Sequence, residues 1–292
     1  MGEIEMSQIS ESSTDRVLVR LPGRAEINSA GAIRRRRGID ATLAIGFPVL
    51  LLALWQLSST VGWIDSRLYP APTDIIRDGW ELIKDGTLWP DIKITTMRVF
   101  YGFVIGAFVG VVVGLVMGSI RWIRKMLEST LDALYVVPKL ALLPILLNIF
   151  GLGEGPKIAL VATTVFFFVW ISTMSAVISV PEGYREAAQC FGANRWDMFR
   201  HVLMPASLPQ IFVAMRVGAG IAFLVIVAAE FIVGTDGLGY LIFNSRALFL
   251  NGHMFVGIVV VAIGGVIFTE IVRFIGRRLT KWAPHDGAAT NA

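Results

Sequence analysis

Three charged side chains lie inside long apolar stretches of the sequence, where an ionisable group is costly to bury and commonly serves transport or charge pairing. Lys139 lies between Pro138 and Pro144, while Arg216 and Glu230 share one apolar run. Arg216 and Glu230 are fourteen positions apart, which is about 21 Å along a straight helix, so each needs another partner or water. Lys139 offers positive charge to an anionic solute, or alternatively extends its amine to the membrane surface.

Uncharged polar side chains in the same stretches add hydrogen-bonding groups for a solute. The candidate translocation path comprises Lys139, Asn148, Thr163, Thr164, Arg216 and Glu230. Structural charge pairing is the favoured alternative for Arg216 and Glu230, and snorkelling is an equal alternative for Lys139.

The sequence carries no recognisable catalytic, metal-binding or nucleotide-binding pattern. His201, His253 and His285 are far apart, and the glycine-rich run at 151–155 lacks the spacing of a phosphate loop. The single cysteine, Cys190, excludes an intrachain disulfide. We therefore predict that this chain is not an enzyme and binds no metal or cofactor itself.

A four-residue glycine repeat marks one predicted membrane span. It consists of Gly102, Gly106, Gly110, Gly114 and Gly118. Four residues turn a helix by about 400°, so these glycines follow one side and let another helix approach closely. The repeat predicts a tight helix seam, within the chain or across a dimer.

The longest polar interruption of the apolar region lies at residues 181–206. Pro181 suits the first turn of a helix, Gly192 supplies a break, and Asn194 can cap a second helix with Asp197 near its positive end. Pro205 is expected to end the unit. The pattern predicts two short amphipathic helices around a turn, either as a docking surface or as a segment resting on the membrane.

Composition places the chain among multi-span membrane proteins. Of its 292 residues, 55% are hydrophobic and only 16% are charged, with a net charge of +4. The basic residues lie beside apolar runs, which argues against a nucleic-acid partner. Arg34 to Arg37 precede the first run and Arg277 and Arg278 follow the last, so both termini are predicted to be cytoplasmic.

We predict an all-α membrane protein with about six transmembrane helices, each long enough to cross about 30 Å of hydrocarbon. The predicted spans are residues 41–61, 100–120, 131–150, 158–180, 211–233 and 254–274. Pro138 and Pro144 are expected to break the third span.

Three segments are predicted to lie outside the membrane-spanning core. They are a disordered basic cytoplasmic tail at 1–40, an extracytoplasmic segment at 62–97 and a C-terminal tail at 282–292. Ile75, Ile76, Trp80, Leu82 and Ile83 indicate a short amphipathic helix within the extracytoplasmic segment.

The polar loop at 181–206 resembles the EAA loop of binding-protein-dependent ABC importer permeases. The family pattern reads E-A-A, three residues, G, nine residues, then I-x-L-P. Here it reads Glu186-Ala187-Ala188, Gly192 and Val202-Leu203-Met204-Pro205. The runs FGLGEGPKIAL and VAAEFIVGTDGLGYLI most resemble the nitrate, sulfonate, taurine and bicarbonate branch, and the resemblance covers roughly residues 98–281.

The resemblance implies a type I importer permease core at 98–281, in a multi-pass protein of the bacterial plasma (inner) membrane. It implies a permease homodimer in the lipid bilayer, two ATPase subunits that bind ATP and Mg²⁺, and an extracytoplasmic substrate-binding protein. The implied substrate is a small anion or organic sulfonate. The implied coupling residues are Glu186, Ala187, Ala188, Phe191, Gly192, Ala193, Asn194, Arg195, Trp196, Phe199, Arg200 and Pro205.

Two other functional classes fit part of the sequence. A self-sufficient secondary transporter or channel accounts for the spans and intramembrane charges, but not for the polar loop. A membrane scaffold accounts for the loop, but needs no polar path.

Overall fold

The computed structural model describes residues 29–283, with side chains from Thr42 onward, and all regular elements in this range are helical. In chain order they are α1 (Ser29–Thr60), α2 (Pro72–Lys84), α3 (Leu88–Ser119), α4 (Arg121–Val136), a 3-10 turn (Lys139–Leu142), α5 (Leu143–Phe150), α6 (Glu154–Ile178), α7 (Glu182–Cys190), α8 (Arg195–Val233), α9 (Leu238–Ala247) and α10 (Asn251–Leu279).

Membrane-spanning length and hydropathy confirm the predicted six-span architecture. Five helices are long and apolar enough to cross a bilayer: α1 over Thr42–Thr60, α3, α6, α8 and α10. Counted as one span, α4 with the segment Lys139–Phe150 supplies a sixth, bent by 91°. The bend falls at Val137 and Pro138, so the predicted proline break of the third span is confirmed.

Part of the predicted N-terminal tail is helical, because α1 begins at Ser29. Arginine and alanine are good helix formers, so the basic stretch at 34–37 extends the helix that follows it. Residues 1–28, and 284–292 of the predicted C-terminal tail, lie outside the described residues, as does His285. The chain divides into two compact units at Leu57, and the elements considered below belong to the second, which begins at Ser58.

Several helices begin earlier than hydropathy predicts. α3 begins at Leu88 rather than near Phe100, and α6 begins at Glu154 rather than Ile158. The additional turns carry polar groups such as Thr95 and Arg98, which are buried because both donate hydrogen bonds to Glu230. A hydropathy profile counts such groups as solvent-exposed. The helical region is therefore longer than the apolar one.

The glycine repeat of α3 packs against α6. A Cβ atom at Gly102 would lie 2.6 Å from Val161 Cβ, and one at Gly110 would lie 2.9 Å from the carbonyl oxygen of Phe166. One at Gly114 would lie 2.6 Å from Thr173 Cβ. Real Cβ atoms do not approach other atoms so closely, so the missing side chains set the distance between the two helices. The repeat forms a seam within one chain.

The predicted amphipathic helix before α3 is α2. Ile75 and Leu82 are buried, whereas Ile76, Trp80 and Ile83 leave an apolar face exposed. Pro72 occupies its first turn, where a missing backbone N–H costs little.

Pro205 does not end the polar unit, contrary to the prediction. Helix α8 continues from Arg195 to Val233, passing through a π-helical segment at Met198–Leu203 just before Pro205. A π-helical turn changes the hydrogen-bond pattern locally. Pro205 lies in the first turn of the α-helical part that follows it, so the missing proline N–H does not break α8. The second short helix and the fifth span therefore form one continuous helix.

Candidate functional site

The two-helix unit predicted from the polar loop is present as α7 and the start of α8. Gly192 joins them in the left-handed backbone conformation, with φ of 80°, which favours glycine. The Asn194 side chain accepts hydrogen bonds from the backbone N–H groups of Trp196 and Asp197 at 2.8 and 2.9 Å, and Asp197 accepts one from Asn194 N–H. This capping box fixes the direction in which α8 leaves the turn.

Aromatic side chains project from this unit into the surroundings. The exposed fraction is 91% for Phe191 and 63% for Trp196, while Phe199 is half-buried with its ring 5.7 Å from that of Trp196. Exposed aromatic groups grouped on one surface commonly anchor a protein partner. We call the exposed face of α7, the turn and the first residues of α8 the coupling surface.

Most of the predicted coupling residues lie on this surface. Glu186, Ala187, Asn194, Arg195 and Arg200 are exposed, and Ala188, Ala193 and Pro205 are half-buried. Their role in contacting a partner stays a prediction.

The coupling surface is attached to the membrane-spanning helices. Arg185 donates a hydrogen bond to the carbonyl oxygen of Val177 at 3.0 Å, which ties α7 to the last turns of α6. Met198 and Phe199 pack against a buried cluster that contains Val177 and Leu203. A displacement of the surface therefore acts directly on α6 and α8.

A group of paired charges lies at the other end of α6 and α8. We call Arg98, Glu154, Lys157, Glu230 and Asp236 the charge network. Arg98 donates hydrogen bonds to Glu230 Oε1 and Glu154 Oε1, both at 2.7 Å, and also to the carboxylate of Asp236. Lys157 Nζ lies 3.8 Å from Glu154 Oε1 and 3.7 Å from Asp236 Oδ1. One guanidinium thus joins three acidic residues from three segments.

The buried carboxylate of Glu230 is fully engaged. It accepts hydrogen bonds from Thr95 Oγ1 at 2.9 Å and from the Gly239 N–H at 2.8 Å, in addition to Arg98. A Cβ atom at Gly237 would lie 2.5 Å from Glu230 Oε1, so this turn passes too close for a side chain. Pairing and hydrogen bonding together offset the cost of burying these charges.

Asp236 lies in the turn between α8 and α9. Partial burial raises the pKa of its carboxyl, but hydrogen bonds and charge from Arg98, with charge from Lys157, outweigh burial and hold the pKa below its ordinary value. Asp236 is therefore ionised at neutral pH and available for ion pairing.

The remaining path candidates make local contacts. Lys139 Nζ donates to the last carbonyl oxygens of α4 at 2.7–3.0 Å and lies 4.4 Å from the Phe167 ring centroid. Thr163 and Thr164 donate to carbonyls of their own helix, and Asn148 is exposed. Across residues 29–283, no hydrogen bond or ion pair joins any two of the six candidates, whose role in a path stays a prediction.

Sequence reasoning missed Arg98 and identified one of its partners. The expectation that Arg216 and Glu230 each need another partner is confirmed, because Glu230 pairs with Arg98 and Arg216 lies 4.0 Å from Glu270. Arg98 precedes the predicted span at 100–120, where a charged residue gives no sign of a buried partner. Within the described part of the chain, no group of three His, Cys, Asp or Glu residues is arranged to hold a metal.

Comparison with known sequences identifies relatives along most of the chain. The sequence profile of the family described as "Binding-protein-dependent transport system inner membrane component" matches residues 94–281. The putative aliphatic sulfonates transport permease protein SsuC of Escherichia coli (strain K12) is 36% identical over 237 residues, 81% of this chain and 90% of that protein.

Two further relatives carry other substrates in their names. The riboflavin transport system permease protein RibX of Chloroflexus aurantiacus is 34% identical, covering 82% of this chain and 90% of that protein. The taurine transport system permease protein TauC of Escherichia coli (strain K12) is 31% identical, covering 83% and 90% respectively.

A solved structure supports the fold. The crystal structure of a bacterial ABC transporter involved in the import of the acidic polysaccharide alginate aligns with a TM-score of 0.57 at 15% identity, over 88% of this chain and 98% of that chain. At this identity the likeness concerns the fold alone.

Proposed function

The chain belongs to the family of binding-protein-dependent transport system inner membrane components, and from this membership we propose that it couples to separate ATPase subunits through the coupling surface. It is a multi-pass permease subunit of an ABC importer in the bacterial plasma membrane. The observation that carries the proposal is the capped pair of helices at the Glu-Ala-Ala sequence, with two exposed aromatic side chains.

The proposed assembly contains two copies of this chain, two ATPase subunits that bind ATP and Mg²⁺, and one extracytoplasmic substrate-binding protein. Closure of the ATPase pair on ATP pushes the two coupling surfaces together and opens the path outward. Hydrolysis and separation return the path inward. The chain itself hydrolyses nothing, and both of its termini lie in the cytoplasm.

The proposed substrate is a small anion or organic sulfonate, supported by the names of the sulfonate and taurine relatives. The riboflavin relative is of comparable similarity, so the ligand of the cognate binding protein decides the substrate. Lys139, Asn148, Thr163, Thr164 and Arg216 are proposed to line the path. Glu230 is buried and paired with Arg98, which supports the alternative of structural charge pairing for this residue.

Native mass spectrometry of the chain, co-expressed with the products of neighbouring genes and purified in mild detergent, tests the assembly. Two permease chains with two ATPase subunits are expected. A chain that retains no ATPase under conditions preserving known complexes of this kind would instead favour a self-sufficient transporter or channel.

Removing the exposed aromatic groups is expected to release the ATPase. We expect Phe191→Ala combined with Trp196→Ala to reduce the ATPase retained by the purified chain at least tenfold, because exposed aromatic anchors contribute about 2 kcal/mol or more each at protein interfaces. Trp63→Ala, which removes an equally exposed aromatic group away from the coupling surface, should retain the ATPase. Equal retention by both variants would contradict the assigned contact.

Charge at Gly192 is expected to uncouple transport. A Cβ atom there meets nothing within 4 Å, but the left-handed conformation is unfavourable for any side chain. Asp and Asn bear this strain alike, so the comparison of Gly192→Asp with Gly192→Asn isolates the added charge. We expect uptake into proteoliposomes to fall at least tenfold in Gly192→Asp. Gly192→Asn is the matched control of the same size and should retain most uptake. Normal uptake in Gly192→Asp would count against the coupling role.

A further inference from the structure

The ion pairs of the charge network fall into two layers that differ in solvent exposure. Arg98 and Glu230 form the inner layer, with side chains 1% and 0% exposed. Glu154 and Asp236 form the outer layer and contact Arg98 from the solvent side, with side chains 47% and 44% exposed. Separating a buried charge pair is strongly unfavourable, whereas water compensates exposed carboxylates that separate from a cation.

The outer layer joins the start of α6 to the turn between α8 and α9. Glu154 begins α6, and Asp236 belongs to the turn between α8 and α9. The guanidinium of Arg98 donates to both carboxylates and so bridges these segments. The amine of Lys157 lies between the carboxylates of Glu154 and Asp236 and forms a second bridge. Glu230, in contrast, accepts from α3 and from its own following turn, so the inner layer does not depend on α6.

Both joined segments belong to, or directly follow, helices that reach the coupling surface. The last turns of α6 accept the hydrogen bond from Arg185 of α7. Helix α8 runs without interruption from Arg195, on the coupling surface, to Val233, three residues before Asp236. Motion applied at one end of these helices therefore reaches the outer layer at the other.

We propose, resting on the function proposed above, that the Glu154 and Asp236 contacts to Arg98 and Lys157 form a separable latch between α6 and the α8–α9 turn. The latch is closed in this structure and opens when the ATPase subunits close on ATP, while the Arg98–Glu230 pair stays intact. Glu154 and Asp236 are thus positioning residues for the transport cycle.

Thermodynamic coupling is reciprocal, which gives the latch a measurable consequence. If ATP-driven closure opens the latch, then weakening the latch favours ATP-driven closure. Loss of one latch carboxylate is expected to raise ATP hydrolysis in the absence of the binding protein by about fivefold, since ion pairs of this exposure contribute modestly.

The first experiment compares charge-removing, isosteric variants in the whole transporter. Asp236→Asn and Glu154→Gln complexes of permease and ATPase are reconstituted in lipid nanodiscs, and ATP hydrolysis is measured without binding protein. Glu270→Gln is the matched control, because Glu270 is 48% exposed and pairs with Arg216 and Arg273 outside the network. We expect both latch variants to hydrolyse ATP faster and the control to match the unaltered complex.

The second experiment leaves every network charge in place. Nitroxide labels are attached at Leu152→Cys and Thr235→Cys, two exposed positions next to Glu154 and Asp236, in a Cys190→Ser background. We expect the spin–spin interaction to weaken when the complex is trapped with MgATP and orthovanadate. An unchanged interaction in a complex that traps nucleotide would overturn the latch.

The outcomes separate the latch from the function on which it rests. A chain that binds no ATPase contradicts the proposed function and the latch together. Intact complexes in which the latch variants hydrolyse ATP at the unaltered rate, or in which the control rises equally, contradict the latch alone.

Discussion

Arg98→Leu is expected to destabilise the protein by about 3–5 kcal/mol, the range found when one partner of a buried ion pair is removed. The substitution leaves the Glu230 carboxyl in the protein interior without its counter-ion. It also releases Glu154 and Asp236, so three segments lose their common partner. The measurement is the free energy of unfolding in detergent micelles, taken from a denaturant titration monitored by tryptophan fluorescence.

Two variants show whether the loss comes from the unpaired charge. Glu230→Gln keeps the acceptor for the Gly239 N–H but removes the charge, so Arg98→Leu combined with Glu230→Gln should recover about half of the lost stability. Arg77→Leu removes an arginine from an exposed pair with Glu81 and should change stability little. If Arg98→Leu behaves like Arg77→Leu, the network does not hold the helices together.

The local features of this protein were predictable because their signals lie close together in the sequence. Asn194, Asp197 and Gly192 lie within six residues and specify a turn and a capped helix without reference to the rest of the chain. The proline break of the third span and the amphipathic helix α2 are equally local. Capping, backbone conformation and helical periodicity act over one or two turns, so sequence alone carries them.

The features that the sequence did not predict depend on partners far away in the sequence, or on an irregular turn that offsets a helix-breaking residue. The position of Glu230 in an apolar run predicts that it needs a partner. Its partner Arg98 is 132 residues away in the sequence, and only the packing of α3 on α8 brings the two together. Proline commonly ends a helix, yet α8 continues through Pro205 because a π-helical turn precedes it. Because α8 is continuous, the first residues of α8 on the coupling surface and the fifth span belong to the same helix.

Among the five glycines of the seam, Gly106 is the position at which the smallest possible side chain is expected to do the most damage. A Cβ atom there would overlap the carbonyl oxygen of Ala162 and lie 3.0 Å from the Ala162 Cα. The obstructing atoms are backbone, so no rotamer change relieves the contact and α3 must move away from α6. We expect Gly106→Ala to cost about 1–3 kcal/mol, the usual range for overpacking a close interface, by the same unfolding measurement.

Other glycines in the spans provide graded controls for this prediction. A Cβ at Gly110 would lie 2.9 Å from the Phe166 carbonyl oxygen, so its replacement by alanine should be damaging but milder. At Gly220 the nearest atom is Thr269 Cγ2 at 3.7 Å, an ordinary contact, and alanine is favoured over glycine in a helix by up to about 1 kcal/mol. Gly220→Ala should therefore be neutral or stabilising. Equal effects at the three positions would show that the seam does not set the helix distance.

The seam and the charge network are expected to fail together. α3 carries both Gly106 and Arg98, and α6 carries both Ala162 and Glu154, so separating the helices at the seam also draws the guanidinium away from its outer carboxylate. Gly106→Ala should consequently raise ATP hydrolysis without the binding protein, as removal of a latch carboxylate does. A destabilised but fully coupled Gly106→Ala complex would show instead that the latch tolerates displacement of α3.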